Sequence, residues 1–209
     1  MNILNPNPHL LKSILEKDFE MDGGFNNKYL YMSCVDRLRE VNLRDISEKE
    51  INGPFTVFLI NWGKMDRYLN RKGLKNTWRK NLLEKIRENA DKLEELRRVR
   101  LWEVDLEKYK SDVECCYDSF ASVIKFTAAG KSLHLICPDF FPLWDSYIRQ
   151  ALKKVNRGIN ESKEGYYNFI KTIRKFVLTY KDILFEMKEK HETTVLKLVD
   201  IYLWSQSQK

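Results

Sequence analysis

Phe55-Thr56-Val57-Phe58-Leu59-Ile60 decides the fold, because this unbroken apolar run reads equally well as a buried strand or a buried helix. A strand needs a partner to take up its backbone hydrogen bonds, and no second strand-like run exists in the chain to pair with it. The segment, opened by Gly53-Pro54, is therefore read as helix and the protein as all-α.

The flanking sequence agrees. Pro8 suits a first helical turn, and Leu10, Leu11, Ile14 and Leu15 repeat at three and four residues up to about Phe19. Gly23-Gly24 interrupt, and a second helix from about Asn27 carries Leu30, Cys34, Leu38 and Val41 on one face. Asn76 to about Arg98 is the clearest amphipathic segment, with Trp78, Leu82, Leu83, Ile86, Ala90, Leu93 and Leu96 toward the core. Asp112 is placed to cap a helix that ends at Ala128-Ala129-Gly130, in which Cys115 and Cys116 face different directions. A short helix from Lys131 to about Ile136 is stopped by Pro138, and Trp144 to Val155 forms the next. Two long helices close the chain, one through Tyr166, Ile170, Ile173, Val177, Tyr180 and Ile183, the other through Val195, Leu196, Val199, Tyr202 and Leu203. The architecture expected is roughly seven to ten helices in one compact all-helical domain over residues 1–209. Two lobes around a cleft near Gly130 to Asp145 stand as the other arrangement.

Composition supports folding and excludes several classes. At 43% hydrophobic and 12% aromatic the chain carries ample core material, and 8 Gly and 5 Pro supply few cradles or tight turns. Lysine and arginine exceed the acids for a net charge of +7, which tolerates a polyanionic partner without requiring one. The Lys/Glu-heavy surface composition suits a thermophile. Cys34, Cys115, Cys116 and Cys137 contain no CxxC, so no disulfide framework is expected. The start, Met1 to Pro8, lacks a basic region followed by an apolar one, and the longest uncharged stretch, Ile51 to Gly63, falls short of the roughly 18 residues that span a bilayer. A cytoplasmic protein with reduced thiols and no membrane partner is expected.

Familiar chemistry is largely absent. Gly130-Lys131-Ser132 resembles the end of a phosphate-binding loop, but the position of the first glycine is Lys125 and a helical pattern precedes it, so no nucleotide cofactor is expected. His134 and Cys137, with Cys115 or Cys116, lack paired metal-ligand spacing; buried cysteines and a core histidine are the better reading, and no metal is expected. No GxSxG or HExxH occurs, which leaves carboxylate or lysine chemistry open.

The stretch from Ala129 to Leu152 stands apart: Gly130-Lys131-Ser132, then Pro138-Asp139-Phe140-Phe141-Pro142-Leu143-Trp144-Asp145-Ser146-Tyr147-Ile148-Arg149. It resembles the core of the helix-hairpin-helix DNA glycosylases, in which a Gly-containing turn opens a helix and an apolar-Pro-apolar run delivers an essential Asp at the start of the next. The resemblance implies Asp145 as that carboxylate, DNA as partner, a role in DNA repair and no cofactor. It covers about two dozen residues, with Ala128 where the family's first hairpin glycine falls and a helix shorter by about a turn. Aligned on Gly130, the family's nucleophilic lysine falls on Ser132, which argues against a bifunctional lyase.

The implied chemistry is coherent. Breaking an N-glycosidic bond builds positive charge on the sugar, which a carboxylate near C1′ stabilises while aromatic rings hold the flipped base. Asp145 is the candidate carboxylate; Lys131 serves as nucleophile if its amine enters the same cleft with a depressed pKa. Trp62, Phe140, Phe141 and Trp144 are candidate stacking rings, and Gly130 and Ser132 candidate phosphate contacts at a helix start. Lys64, Arg67, Arg71, Lys72 and Lys75, beside Trp62 and Tyr68, form a basic segment able to grip phosphates. Plainer roles compete at each position: Asp145 as a helix cap, Lys131 as a solvated first-turn lysine, Phe140, Phe141 and Trp144 as core, the basic run as a solvated face. Asp200 and Trp204, four apart, read as a packing face. A non-catalytic helical nucleic-acid-binding or protein-interaction module is the alternative function, and the oligomeric state is not written in the sequence.

Overall fold

The computed structural model describes residues 3–21, 24–71 and 73–207, with side chains described outside 18–27. Among them are twelve α-helices and no strand. In chain order these are α1 (Pro8–Met21), α2 (Gly24–Arg39), α3 (Glu48–Glu50), α4 (Asp66–Leu69), α5 (Trp78–Glu88) and α6 (Ala90–Arg97). They continue with α7 (Lys110–Ile124), α8 (Phe126–Ile136), α9 (Ser146–Lys153), α10 (Lys163–Thr179), α11 (Lys181–His191) and α12 (Val195–Ser207).

The deciding stretch is helical but not plainly α. Ile51–Phe55 and Val57–Trp62 wind as π-helical turns. Pro54 has no N–H to return to Glu50, and Gly53 leaves helical geometry at φ −89°, ψ −107°, so the coil widens. At its end the Gly63 N–H donates to Phe58 O, five residues back, at 2.6 Å.

Several helix boundaries differ from the sequence expectation, three of them for a local reason. Asn76–Arg98 is two helices rather than one: Asn89 interrupts it, and its side-chain amide donates to Lys85 O (2.9 Å) and to Ser119 Oγ (3.0 Å). The helix carrying Tyr166 to Ile183 divides at Tyr180, whose hydroxyl donates to Pro6 O at 2.9 Å and ties the break to the start of the chain. Asp112 caps nothing. Instead Asp105 accepts the Glu107 N–H and starts a 3-10 turn, Leu106–Tyr109, that runs directly into α7.

The largest correction concerns Gly130. The break after α7 falls at Lys125, in the left-handed region at φ 64°, and α8 has already begun at Phe126. Gly130 therefore lies within α8, not at a helix start. Every residue of α8 from Ala128 to Ile136 is buried, as expected for a helix that is apolar nearly all round. It packs against α7, α2 and the second π-helical turn, while α12 packs against α1, α9 and α11. Buried side chains form one connected core from Leu11 to Leu203. Among the described residues no helix is long and apolar enough to cross a membrane, and the four cysteines are free, Cys115 exposed and the other three buried.

Candidate active site

A buried helix that carries Lys131, Ser132 and His134 bears a cost, since each polar group left water on folding. The partners of Lys131 and His134 define the site, whereas the buried Ser132 hydroxyl has no hydrogen-bond partner among the described residues. Lys131 Nζ donates to Gly63 O at 2.9 Å and lies 3.8 Å from Asp145 Oδ2. With the side chain about 10% exposed, burial pushes the Lys131 ammonium below the ordinary lysine range, while Asp145 and Asp200 pull it back and Lys197 pushes the same way as burial.

Asp145 performs two tasks with its two oxygens. Oδ1 accepts the Tyr147 N–H at 2.8 Å, capping α9, and Oδ2 faces the Lys131 amine. The capping reading and the site reading are thus compatible at one residue. Lys131 is not the solvated first-turn lysine that its sequence context favours: it is buried in the middle of α8.

A second pair meets the first under one ring. Lys197 Nζ lies 3.1 Å from Asp200 Oδ2, both side chains being mostly buried. The Trp62 ring takes Lys197 Nζ at 4.7 Å and Lys131 Nζ at 5.8 Å from its centroid. Burial raises the Asp200 carboxyl, Lys197 opposes that rise, and the Asp145 charge adds to it. Two lysines and two aspartates, from α8, the cap of α9 and α12, therefore share a centre beside Trp62 at the end of the π-helical turns.

A neutral network braces this centre. His134 Nδ1 is 2.6 Å from Phe141 O, a carbonyl that accepts only, so Nδ1 carries the proton. Nε2 must then accept from Tyr31 Oη at 2.7 Å, and Tyr31 in turn accepts from Thr194 Oγ1 at 2.8 Å. Burial pushes the His134 imidazole down to about 3 and raises the Tyr31 phenol, so both are neutral. The chain of bonds links α2, α8, the Phe141 loop that leads to Asp145, and the start of α12.

The remaining expected site residues separate into two groups. Phe140, Phe141 and Trp144 are 0% exposed; Phe140 packs on Phe141 and Tyr109, Phe141 on Tyr166, and Trp144 on Tyr166 and Phe169, so they are core rather than walls for a base. Gly130 and Ser132 are buried inside α8 and present no amide or hydroxyl to a phosphate. Trp62 does belong to the centre. Lys64, Arg67, Arg71 and Lys75 stand exposed, with Arg71 over the Tyr68 ring at 5.6 Å, and the segment begins at the residue after Gly63, whose carbonyl holds Lys131. Lys72 lies outside the described residues.

Lys197, Asp200, Tyr31 and Thr194 are the members that sequence reading missed, and Asp200 was assigned to packing. A signal for two of them exists: in Val195-Leu196-Lys197-Leu198-Val199-Asp200-Ile201-Tyr202-Leu203 the only charges sit three apart in an apolar run. No protein-family model matches the chain, and neither a curated protein nor a solved structure matches it.

Proposed function

We propose that the protein is a base-excision N-glycosylase acting on a damaged base in DNA, with Asp145 as its essential carboxylate. The observation that carries the reading is the Lys131–Asp145 approach of 3.8 Å in a mostly buried centre under Trp62. A carboxylate fixed at a helix start, with one oxygen engaged by the backbone and the other facing inward, suits stabilisation of the sugar cation as the C1′–N bond breaks and its electron pair leaves with the base. Water then adds at C1′. Lys131, held below the usual lysine range by burial, is the second candidate nucleophile there, its amine displacing the base and forming a Schiff base on ring opening. The exposed Lys64, Arg67, Arg71 and Lys75 are the phosphate grip.

The test is release of base from single- and double-stranded oligonucleotides bearing uracil, oxidised purines or alkylated bases, read as alkali-labile cleavage. The native protein should release at least one lesion and Asp145→Asn none. Borohydride trapping to DNA, lost in Lys131→Met, separates the amine route from the water route. Silence of the native protein across the panel overturns the reading and favours the non-catalytic module, in which Asp145 is a cap alone.

A further inference from the structure

With Phe140, Phe141 and Trp144 spent on the core, the centre needs other rings if it is to hold a base, and an exposed aromatic follows each of its two carboxylates in the sequence. Trp204 is 48% exposed and Tyr147 55% exposed, among the few large apolar side chains that the fold leaves in water. Their placement follows from helix geometry. Lys197, Asp200 and Trp204 are spaced three and four apart and form one stripe of α12, buried at Lys197 and surfacing at Trp204. Tyr147 lies in the first turn of α9, and its N–H is the one that Asp145 caps. Each carboxylate of the centre is followed within about a turn by an exposed ring, Asp145 by Tyr147 and Asp200 by Trp204, and α9 packs on α12. Among the described residues neither ring stacks on another aromatic. At the other end of α9, about 10 Å along the helix from Tyr147, the exposed Lys153, Lys154 and Arg157 pair with no carboxylate among the described residues and supply a cationic patch.

We propose that Trp204 and Tyr147 are a stacking platform for unpaired nucleobases of single-stranded DNA beside the lysine–aspartate centre. The choice of ligand rests on the glycosylase reading; the rings and charges are independent of it. Every base offers a π-face to an aromatic ring, and phosphates between bases match the Lys153, Lys154 and Arg157 charges. A duplex keeps its bases stacked on each other and offers such rings little. The platform therefore selects single strands or nucleotides already unpaired.

The experiment is titration of the full chain with a thymidine oligonucleotide and with a duplex of the same length, read by tryptophan fluorescence and by anisotropy of a labelled strand. The single strand is expected to quench fluorescence and to bind more tightly than the duplex. Trp204→Phe should remove most of the quench, and Trp204→Ala and Tyr147→Ala should each weaken single-strand binding about tenfold. As both side chains are largely exposed, circular dichroism of the variants should match the native protein. Unchanged affinity in both alanine variants, equal affinity for the duplex, or no binding of any oligonucleotide overturns the platform. Quenching without base release would keep the platform and remove the glycosylase, whereas base release unaffected by either alanine would do the reverse.

Discussion

A Cβ placed on Gly130 would collide with Cβ of Trp144, so glycine is what lets α8 and the loop before α9 touch backbone to side chain. That contact sets the separation of the next residue on each side, Lys131 and Asp145. Gly130 thus serves the site through packing rather than as a hairpin or phosphate residue. Gly130→Ala should force the loop outward at a cost of about 1–3 kcal/mol, measured as a lower urea midpoint. It should also part Lys131 from Asp145 and lower base release in step, whereas unaltered stability would deny the close approach.

The two oxygens of Asp145 predict a split between its substitutions. Both substitutions leave the buried Lys131 ammonium without its facing carboxylate, but asparagine keeps an acceptor for the Tyr147 N–H, so Asp145→Ala should be less stable than Asp145→Asn by about 1 kcal/mol, the value of the cap. Both should lose base release equally. Urea unfolding beside the oligonucleotide assay checks this; if activity instead tracks stability across the two variants, Asp145 works through the fold.

How much was legible depended on distance along the chain. Helix class followed from local spacing, because apolar residues at three and four repeat within a few turns, and Asp145 stood out since Pro142 and Ser146 bracket it as a helix start. Helix breaks were less so: Asn89 and Tyr180 end helices by bonding to Ser119 and Pro6, partners that periodicity cannot see. The same holds for the centre. Lys131 meets the Gly63 carbonyl and the Trp62 ring, which Lys197 also approaches, and only folding joins three segments so far apart. The aromatic residues misled because a ring's size says it packs, not whether against core or ligand; Trp144 went to the core and Trp204 to the surface.

The His134 network gives a pH dependence with a definite sign. Its folded value of about 3 lies below the ordinary 6.5, so between those values the unfolded chain binds the proton and the native one does not. Stability contributed by the neutral imidazole is full above pH 6.5 and is lost as pH falls toward 3. By pH 4 this one group should account for about 3 kcal/mol. His134→Gln, compared with the native protein by urea unfolding at pH 7, 5.5 and 4, should be less stable at pH 7 and lose less on acidification. Parallel curves would mean that His134 does not titrate between the two states.

Lys197 and Asp200 supply the sharpest contrast between fold and function. Two charges drawn out of water gain little net stability from each other, and an apolar pair of similar size is often neutral or better by about 1–4 kcal/mol. The double replacement Lys197→Met with Asp200→Leu should therefore unfold at the native urea concentration or above it. Lys197→Met alone should cost about 3–5 kcal/mol, because it leaves the Asp200 carboxylate buried without its ammonium and beside the charge of Asp145. If the pair serves the centre under Trp62, the stable double variant should nonetheless lose base release and the trapping of Lys131. A double variant that is both stable and fully active would show the pair to be a dispensable feature of α12, and one less stable than Lys197→Met would show that the fold depends on the charges themselves.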